Sequence, residues 1–225
     1  MKYFDISGPV RPGIWHYDAP YFPFQIQSLS KPKWEDFPYY AESINMPMQS
    51  GTYIETAGHV FPDQLTTAQV PLERTVLLPS YCLQMPTAAN SKITRAMIVD
   101  ALKRIDSPSL VGKGLIISTG WFKHWFESDF MTDGPYFSAD VMEFIVESKV
   151  SLLGSDMPYW DSASEPTGHL LTFFKSNALM LAPVYGTDKI TEGAGALIAI
   201  PLAIEGTSAS PVRAVWVLNP IGLIR

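Results

Sequence analysis

Apolar and polar positions follow a helical period over two short stretches. In "TRAMIVDALK", Thr94 to Lys103, apolar side chains recur at 97, 98, 101 and 102, and Thr94 stands where an N-cap belongs. In "SADVMEFIVES", Ser138 to Ser148, they recur at 141, 142, 145 and 146, with Ser138 as the N-cap and Asp140 as the acidic residue that a first turn favours. Each predicted helix is followed by a short strand-like run, "GLIIST" at 114–119 and "VSLLGSD" at 150–156. Further strand-like runs are "LMLAPV" (179–184), "ALIAIPLAI" (196–204) and "VRAVWVL" (212–218), and "KYFDISGPV" near the start reads as an opening strand. Strands and few helices interleave without strict βαβ repetition, which predicts a mixed α/β fold.

Prolines break this pattern between residues 8 and 40, where Pro9, Trp15, Tyr17, Pro20, Trp34 and Tyr39 belong to a Pro- and aromatic-rich segment. Proline interrupts both ladder and helix hydrogen bonds, so this segment is expected to be an irregular arm. Its aromatic side chains are costly to leave in water. They predict packing over the core, over an active site or onto a second subunit. No repeat, low-complexity tract or linker divides the chain, and residues 1–225 are read as a single domain carrying this arm.

Composition narrows the class. Apolar residues make up 47% and charged residues 17%, a globular balance that argues against disorder. The net charge is −6 and no Lys/Arg run exceeds two, so nucleic acid and anionic membranes are unfavourable partners. No window approaches the ~18 apolar residues of a membrane-spanning helix. "MKYFDISGPV" lacks the basic and apolar regions of a secretory signal, and the cytoplasm is the expected location. The lone cysteine, Cys82, excludes an intramolecular disulfide and a Cys-rich zinc module. Flanked by Tyr81 and Leu83, it reads as a buried small hydrophobe rather than a nucleophile.

Candidate chemistry concentrates in "MPMQSGTYIETAGHVFPD", Met46 to Asp63, which carries Gln49, Tyr53, Glu55 and His59 at spacings of four, two and four. It holds a Gly51-Thr52 turn signal and no apolar run long enough for a core strand, which leaves a metal site, a metal site that has lost ligands and an ordinary loop as its readings. Of the four histidines, His59 lies four residues after Glu55, and His169 follows the turn-rich "DSASEPTG" that can set a side chain at a pocket mouth. His16 and His124 have no such surroundings. His16 sits in the arm, within reach of a neighbouring subunit's site, and His124 reads as a rim residue.

The stretch "QSGTYIETAGH", Gln49 to His59, resembles the signature H-x-G-T-H-x-D-x-P-x-H of the cyclase family, which includes metal-dependent kynurenine formamidases and isatin hydrolases. Gly51, Thr52 and His59 match; Gln49 and Tyr53 stand in place of two His, Glu55 in place of Asp and Ala57 in place of Pro. The resemblance extends along the chain through "FDISGPVRPGIW", "LIISTGW", "VSLLGSDMP" with its Asp156, "GHLLTF" with its His169, and "IAIPLAIEGTSASPVRAVWV". It implies the family's swivelling β/β/α fold, with a mixed sheet, few helices and homodimeric or homotetrameric assembly.

The resemblance also implies a metal site formed by the two His and the Asp, and a second site completed by a later His and a Glu. That Glu falls where this chain has Ala182. Gln49, Glu55 and His169 are then the candidate metal ligands, with His59 the catalytic acid/base. Carboxamide and carboxylate oxygens suit one Mn²⁺ or similar ion better than a zinc pair, and the expected cofactor is a single divalent ion, Mn²⁺ or Zn²⁺.

Of three readings the first, a metal-dependent hydrolase, is the one adopted, and the other two are its alternatives. In the first, one divalent ion activates water to cleave an amide, lactone or ester of a small molecule. In the second, Glu55 works with His59 or His169 as a metal-free acid/base pair, and Tyr53 donates its hydroxyl to a developing oxyanion. In the third, the chain is an inactive member that binds a small molecule or partner. Trp121 and Trp125 of "GWFKHWF", together with Tyr159 and Trp160, are candidate substrate walls, with core packing as the alternative for the first two. Asp156 is expected to orient backbone, and Arg213 to pair with an acidic neighbour.

Overall fold

The computed structural model describes residues 1–29, 40–106, 108–162 and 164–219. In chain order, its first half holds β1 (Lys2–Asp5), β2 (Gln25–Ser28), β3 (Glu42–Asn45), β4 (Tyr53–Glu55), β5 (Leu78–Gln84), β6 (Lys92–Ile93), α1 (Arg95–Lys103) and β7 (Gly114–Ser118). The second half holds β8 (Tyr136–Phe137), α2 (Ala139–Glu147), β9 (Leu152–Ser155), α3 (Leu170–Lys175), β10 (Leu179–Ala182), β11 (Gly193–Ile198), β12 (Ala209–Pro211) and β13 (Val215–Leu218). Nine strands form one mixed sheet in the order β1-β13-β11-β5-β7-β9-β10-β4-β12. β5, β7, β9 and β10 run parallel at its centre, and antiparallel strands flank them on both sides. The fold is the mixed α/β arrangement that the pattern predicts.

The central strands are apolar on both faces, as strands covered on both sides must be. Successive side chains sort to opposite faces. Leu115, Ile117, Leu153, Met180 and Ala182 join a core with Ile98, Val141, Ile145 and Phe173 of the three helices. Ile116, Leu152, Leu179 and Leu181 join a second core with Ile54, Leu197 and Trp216. Thr94 caps α1 by accepting from Met97 N at 3.4 Å. Ser138, at the N-cap position of α2, instead donates to Ile93 O at 3.0 Å. The helical pattern does not announce α3, whose six residues are too few to show a period. The run at 196–204 stops pairing at Ile198, ahead of Pro201.

Two expectations change. The Tyr53–Glu55 segment is a core strand although it has no long apolar run: β4 is fully buried and hydrogen-bonded between β10 and β12. Three residues in the middle of a sheet need no long apolar run when neighbouring strands supply the burial. The Gly51-Thr52 pair leads into it. Gly51 takes φ +65°, and Thr52 Oγ1 donates to Pro183 O at 2.6 Å and accepts from Gly8 N at 2.9 Å.

The arm is also less irregular than its prolines suggest. Residues 25–28 form β2, which pairs with β3 in a two-stranded ribbon. Before β2, residues 8–24 carry no helix or strand and pack inward at Ile14, Trp15 and Tyr17 against Trp125, Phe130 and Tyr53. Trp34, Pro38 and Tyr39 lie outside the described residues.

Candidate active site

The strand period places Tyr53 and Glu55 on one face of β4 and turns Ile54 to the other, into the core that holds Trp216. Antiparallel pairing sets Tyr53 opposite Ala182 and Glu55 opposite Met180. Gln49 arrives from the turn before β4. His59 comes from a single 3-10 turn, Ala57–His59, immediately after it. These four residues share a cavity of about 350 Å³ with Tyr17, Asp18 and Tyr21 of the arm, Pro158, Tyr159, Trp160 and Asp161 after β9, Leu170 of α3 and Met180 of β10. The cavity lies beyond the carboxyl end of β9, where parallel strands commonly open a crevice. Its size suits a small aromatic molecule.

Glu55 is 5% exposed. Its Oε1 accepts from Gln49 Nε2 at 2.9 Å and lies 3.3 Å from His59 Nδ1. Burial pushes the Glu55 carboxyl above the ordinary range, while His59 and the Gln49 amide pull it back. His59 is partly exposed to the cavity, so with Nδ1 turned to the carboxylate its Nε2 is left for another partner. Tyr53 is 3% exposed, and its hydroxyl lies 2.9 Å from that of Tyr17. Tyr17 O–H donates to Pro158 O at 2.7 Å. Burial raises both phenols well above their usual pKa, so both are neutral at physiological pH.

The remaining sequence candidates divide. Tyr159 and Trp160 line the cavity, and Tyr17 packs edge-on against Tyr159 at 5.2 Å between centroids. Trp121 and Trp125 do not line it. Trp125 Nε1 donates to Pro9 O, and a Cβ on Gly8 would fall 1.9 Å from the Trp125 ring, so this ring is packed into the base of the arm. Trp121 Nε1 donates to Phe130 O, and its face stacks on His124, which pairs with Asp129. Core packing is thus the role the structure gives these two rings.

His169 is buried with both ring nitrogens engaged: Nδ1 with Thr167 Oγ1 at 2.6 Å, and Nε2 with Trp160 O at 3.1 Å. It ties Thr167 to Trp160 and is not among the residues that line the cavity. Cys82 is fully buried in β5 and its thiol is pushed up by burial, so it offers no nucleophile. Asp156 accepts from Thr119 N and Oγ1, both at 2.8 Å, and orients the turn after β7. Arg213 Nε donates to Asp5 at 2.9 Å. The sequence offers no spacing that singles out Tyr17, Tyr21 or Asp18 from the other aromatic and polar residues of the arm. Only the way the arm closes over β4 does so.

A catalytic divalent ion is held by about three strong protein donors. The donor set here does not fit one. Among the described residues, no group of three or more His, Cys, Asp or Glu side chains converges for a metal. Gln49 turns its amide nitrogen, a donor, to Glu55. Tyr53 keeps its proton, and a neutral phenol is a poor ligand. His169 is spent on the loop, and Ala182 supplies no donor.

Residues 4–162 match the profile of the Cyclase family. The kynurenine formamidase of Bacillus cereus is 26% identical over 228 residues, covering 98% of each chain. Isatin hydrolase A from Labrenzia aggregata, solved with benzyl benzoate bound, superposes with a TM-score of 0.84 at 15% identity, over 96% of this chain and 93% of that one. A structure described as a potential metal-dependent hydrolase with cyclase activity superposes with a TM-score of 0.75 at 20% identity, over 96% of this chain and 98% of that one. At these identities the structural likeness establishes the fold.

Proposed function

The chain belongs to the cyclase family, and from that premise we propose that it hydrolyses a C–N acyl bond of a small, flat, aromatic molecule with Glu55 and His59 as the working pair. The observation that carries this reading is the 3.3 Å contact between Glu55 and His59 Nδ1 in a cavity walled by Tyr17, Tyr21, Tyr159 and Trp160. The kynurenine formamidase and isatin hydrolase relatives support the reaction class.

In this mechanism Glu55 accepts a hydrogen bond from the Nδ1–H of His59 and fixes the tautomer whose Nε2 can take a proton. Water attacks the acyl carbon, and its proton passes to Nε2 as the new C–O bond forms. The C–N bond then breaks, and the same proton goes to the departing nitrogen, so a carboxylic acid and an amine leave. Gln49 holds Glu55 in place and favours its ionised form. No step is routed through a metal, because the donor set does not fit one.

The test is hydrolysis of aryl formamides and isatin by wild type, Glu55→Gln and His59→Asn, with and without a chelator. Either substitution is expected to cost on the order of 10²- to 10⁴-fold in kcat, the usual worth of acid/base catalysis. The chelator is expected to change nothing. Activity that disappears with the chelator and returns with Mn²⁺ or Zn²⁺ would overturn the metal-independent mechanism.

A further inference from the structure

The two buried tyrosines at the cavity wall share protons in a way their distances decide. A phenol has one proton, and a carbonyl oxygen can only accept. Tyr17 O–H is therefore committed to Pro158 O at 2.7 Å. The 2.9 Å contact between Tyr17 and Tyr53 must then use the Tyr53 proton, with the Tyr17 oxygen as acceptor. This leaves the Tyr53 hydroxyl oxygen with lone pairs alone for anything bound in the cavity.

Three features keep the relay in this state. Both hydroxyls are neutral. Pro158 follows β9 directly and lines the same cavity. The Tyr17 ring is wedged edge-on between Tyr53 and Tyr159, at 6.5 and 5.2 Å between centroids. The expectation that Tyr53 donates to an oxyanion is thereby reversed: in this geometry it is an acceptor two residues from Glu55, on the same face of β4.

We propose that Tyr53, polarised by Tyr17 and Pro158, is a specificity residue that accepts a hydrogen bond from an N–H on the scissile nitrogen. The site thus takes acyl nitrogens that bear hydrogen and discriminates against esters, lactones and N-alkylated amides. The proposal rests on the hydrolase reading above. An ester or lactone oxygen at the same place brings no hydrogen and sets two lone pairs against each other. A site built around a substrate N–H rejects the analogue that lacks it, because the buried partner is then left unpaired.

The experiment uses two matched sets: formanilide, N-methylformanilide and phenyl formate; and isatin, N-methylisatin and benzofuran-2,3-dione. Each variant is compared with wild type on the same substrate, so intrinsic reactivity cancels. Tyr53→Phe is expected to lower kcat/KM at least about tenfold for formanilide and isatin, to raise it for phenyl formate and benzofuran-2,3-dione, where the lone-pair repulsion is removed, and not to lower it for the two N-methyl analogues. Tyr17→Phe keeps the Tyr53 ring and frees its proton. It is expected to lower turnover of the N–H substrates and to raise turnover of phenyl formate and the lactone. Melting temperatures report folding, and Tyr17→Phe carries the test if Tyr53→Phe is unstable.

Equal losses on all six substrates in Tyr53→Phe would overturn the proposal, since Tyr53 would then serve the attacking water or the packing. Glu55→Gln runs in parallel. If it turns over every substrate as wild type does, or if wild type turns over none, the hydrolase reading fails and the proposal with it. Turnover that depends on Glu55 but is blind to Tyr53 removes the proposal alone.

Discussion

Glu55 shows how one carboxylate can be both buried and useful. Its raised pKa comes from burial, and two neighbours limit the rise. Because the ionised form is the one that orients His59, activity should fall as pH drops through a value above the ordinary carboxylate range. Removing the Gln49 amide takes away a donor that favours ionisation. Gln49→Leu should therefore move the acid limb of kcat/KM to still higher pH, and a limb that shifts down or stays put would contradict this role. A residue of ordinary type has become specialised through its surroundings. The same holds for Tyr53, whose chemistry depends on where Tyr17 sends its proton.

At the scale of elements, Asp161 lines the cavity and ties down the segment that leads to His169. Its carboxylate accepts from the backbone N–H groups of Ser162, Thr167 and Gly168. Burial alone would raise its pKa, but these donors outweigh it and the result is lowered. A depressed folded-state pKa means stability that is complete above the unfolded value and lost as pH falls through the folded one. Asp161→Asn is expected to cost about 1–2 kcal/mol at pH 7, measured by denaturant unfolding, and the gap from wild type should close at acid pH. β4 makes a related point. Its three residues carry two site residues, and its place between β10 and β12 fixes their direction. Composition does not reveal such a strand, because its burial comes from partners distant in sequence.

Across the whole molecule, the arm ties the N-terminal region to the site. Trp125 is 1% exposed and holds the arm's base through Gly8 and Pro9. Trp125→Ala should cost about 3–5 kcal/mol and speed protease cleavage in the arm, although the ring does not line the cavity. Farther out, every residue of the β2–β3 ribbon is exposed, and Ile26 and Ile44 are paired on it at 52% and 57% exposure. A lone two-stranded ribbon is marginal in water, so burial against a second copy of the chain is expected. Sedimentation should show a dimer or tetramer that Ile26→Ser with Ile44→Ser shifts toward monomer; an unchanged distribution would assign assembly elsewhere.

The sequence by itself determined the α1 and α2 helices, the strands β7, β9 and β10 and the mixed α/β class, because periodicity and apolar runs are local properties that tertiary contacts then used; it did not single out β5, nor that these strands run parallel. It also determined that Gln49, Tyr53, Glu55 and His59 are the residues to watch, through their likeness to a family signature. Tertiary structure alone decided the rest. It made Tyr53–Glu55 a strand, turned Trp121 and Trp125 into packing, engaged both nitrogens of His169 in the loop, and brought Tyr17 from the arm to the wall of the cavity. Each of those outcomes depends on which distant groups meet a side chain. A hydrogen-bond partner more than a hundred residues away, such as Pro158 for Tyr17, leaves no trace in local pattern.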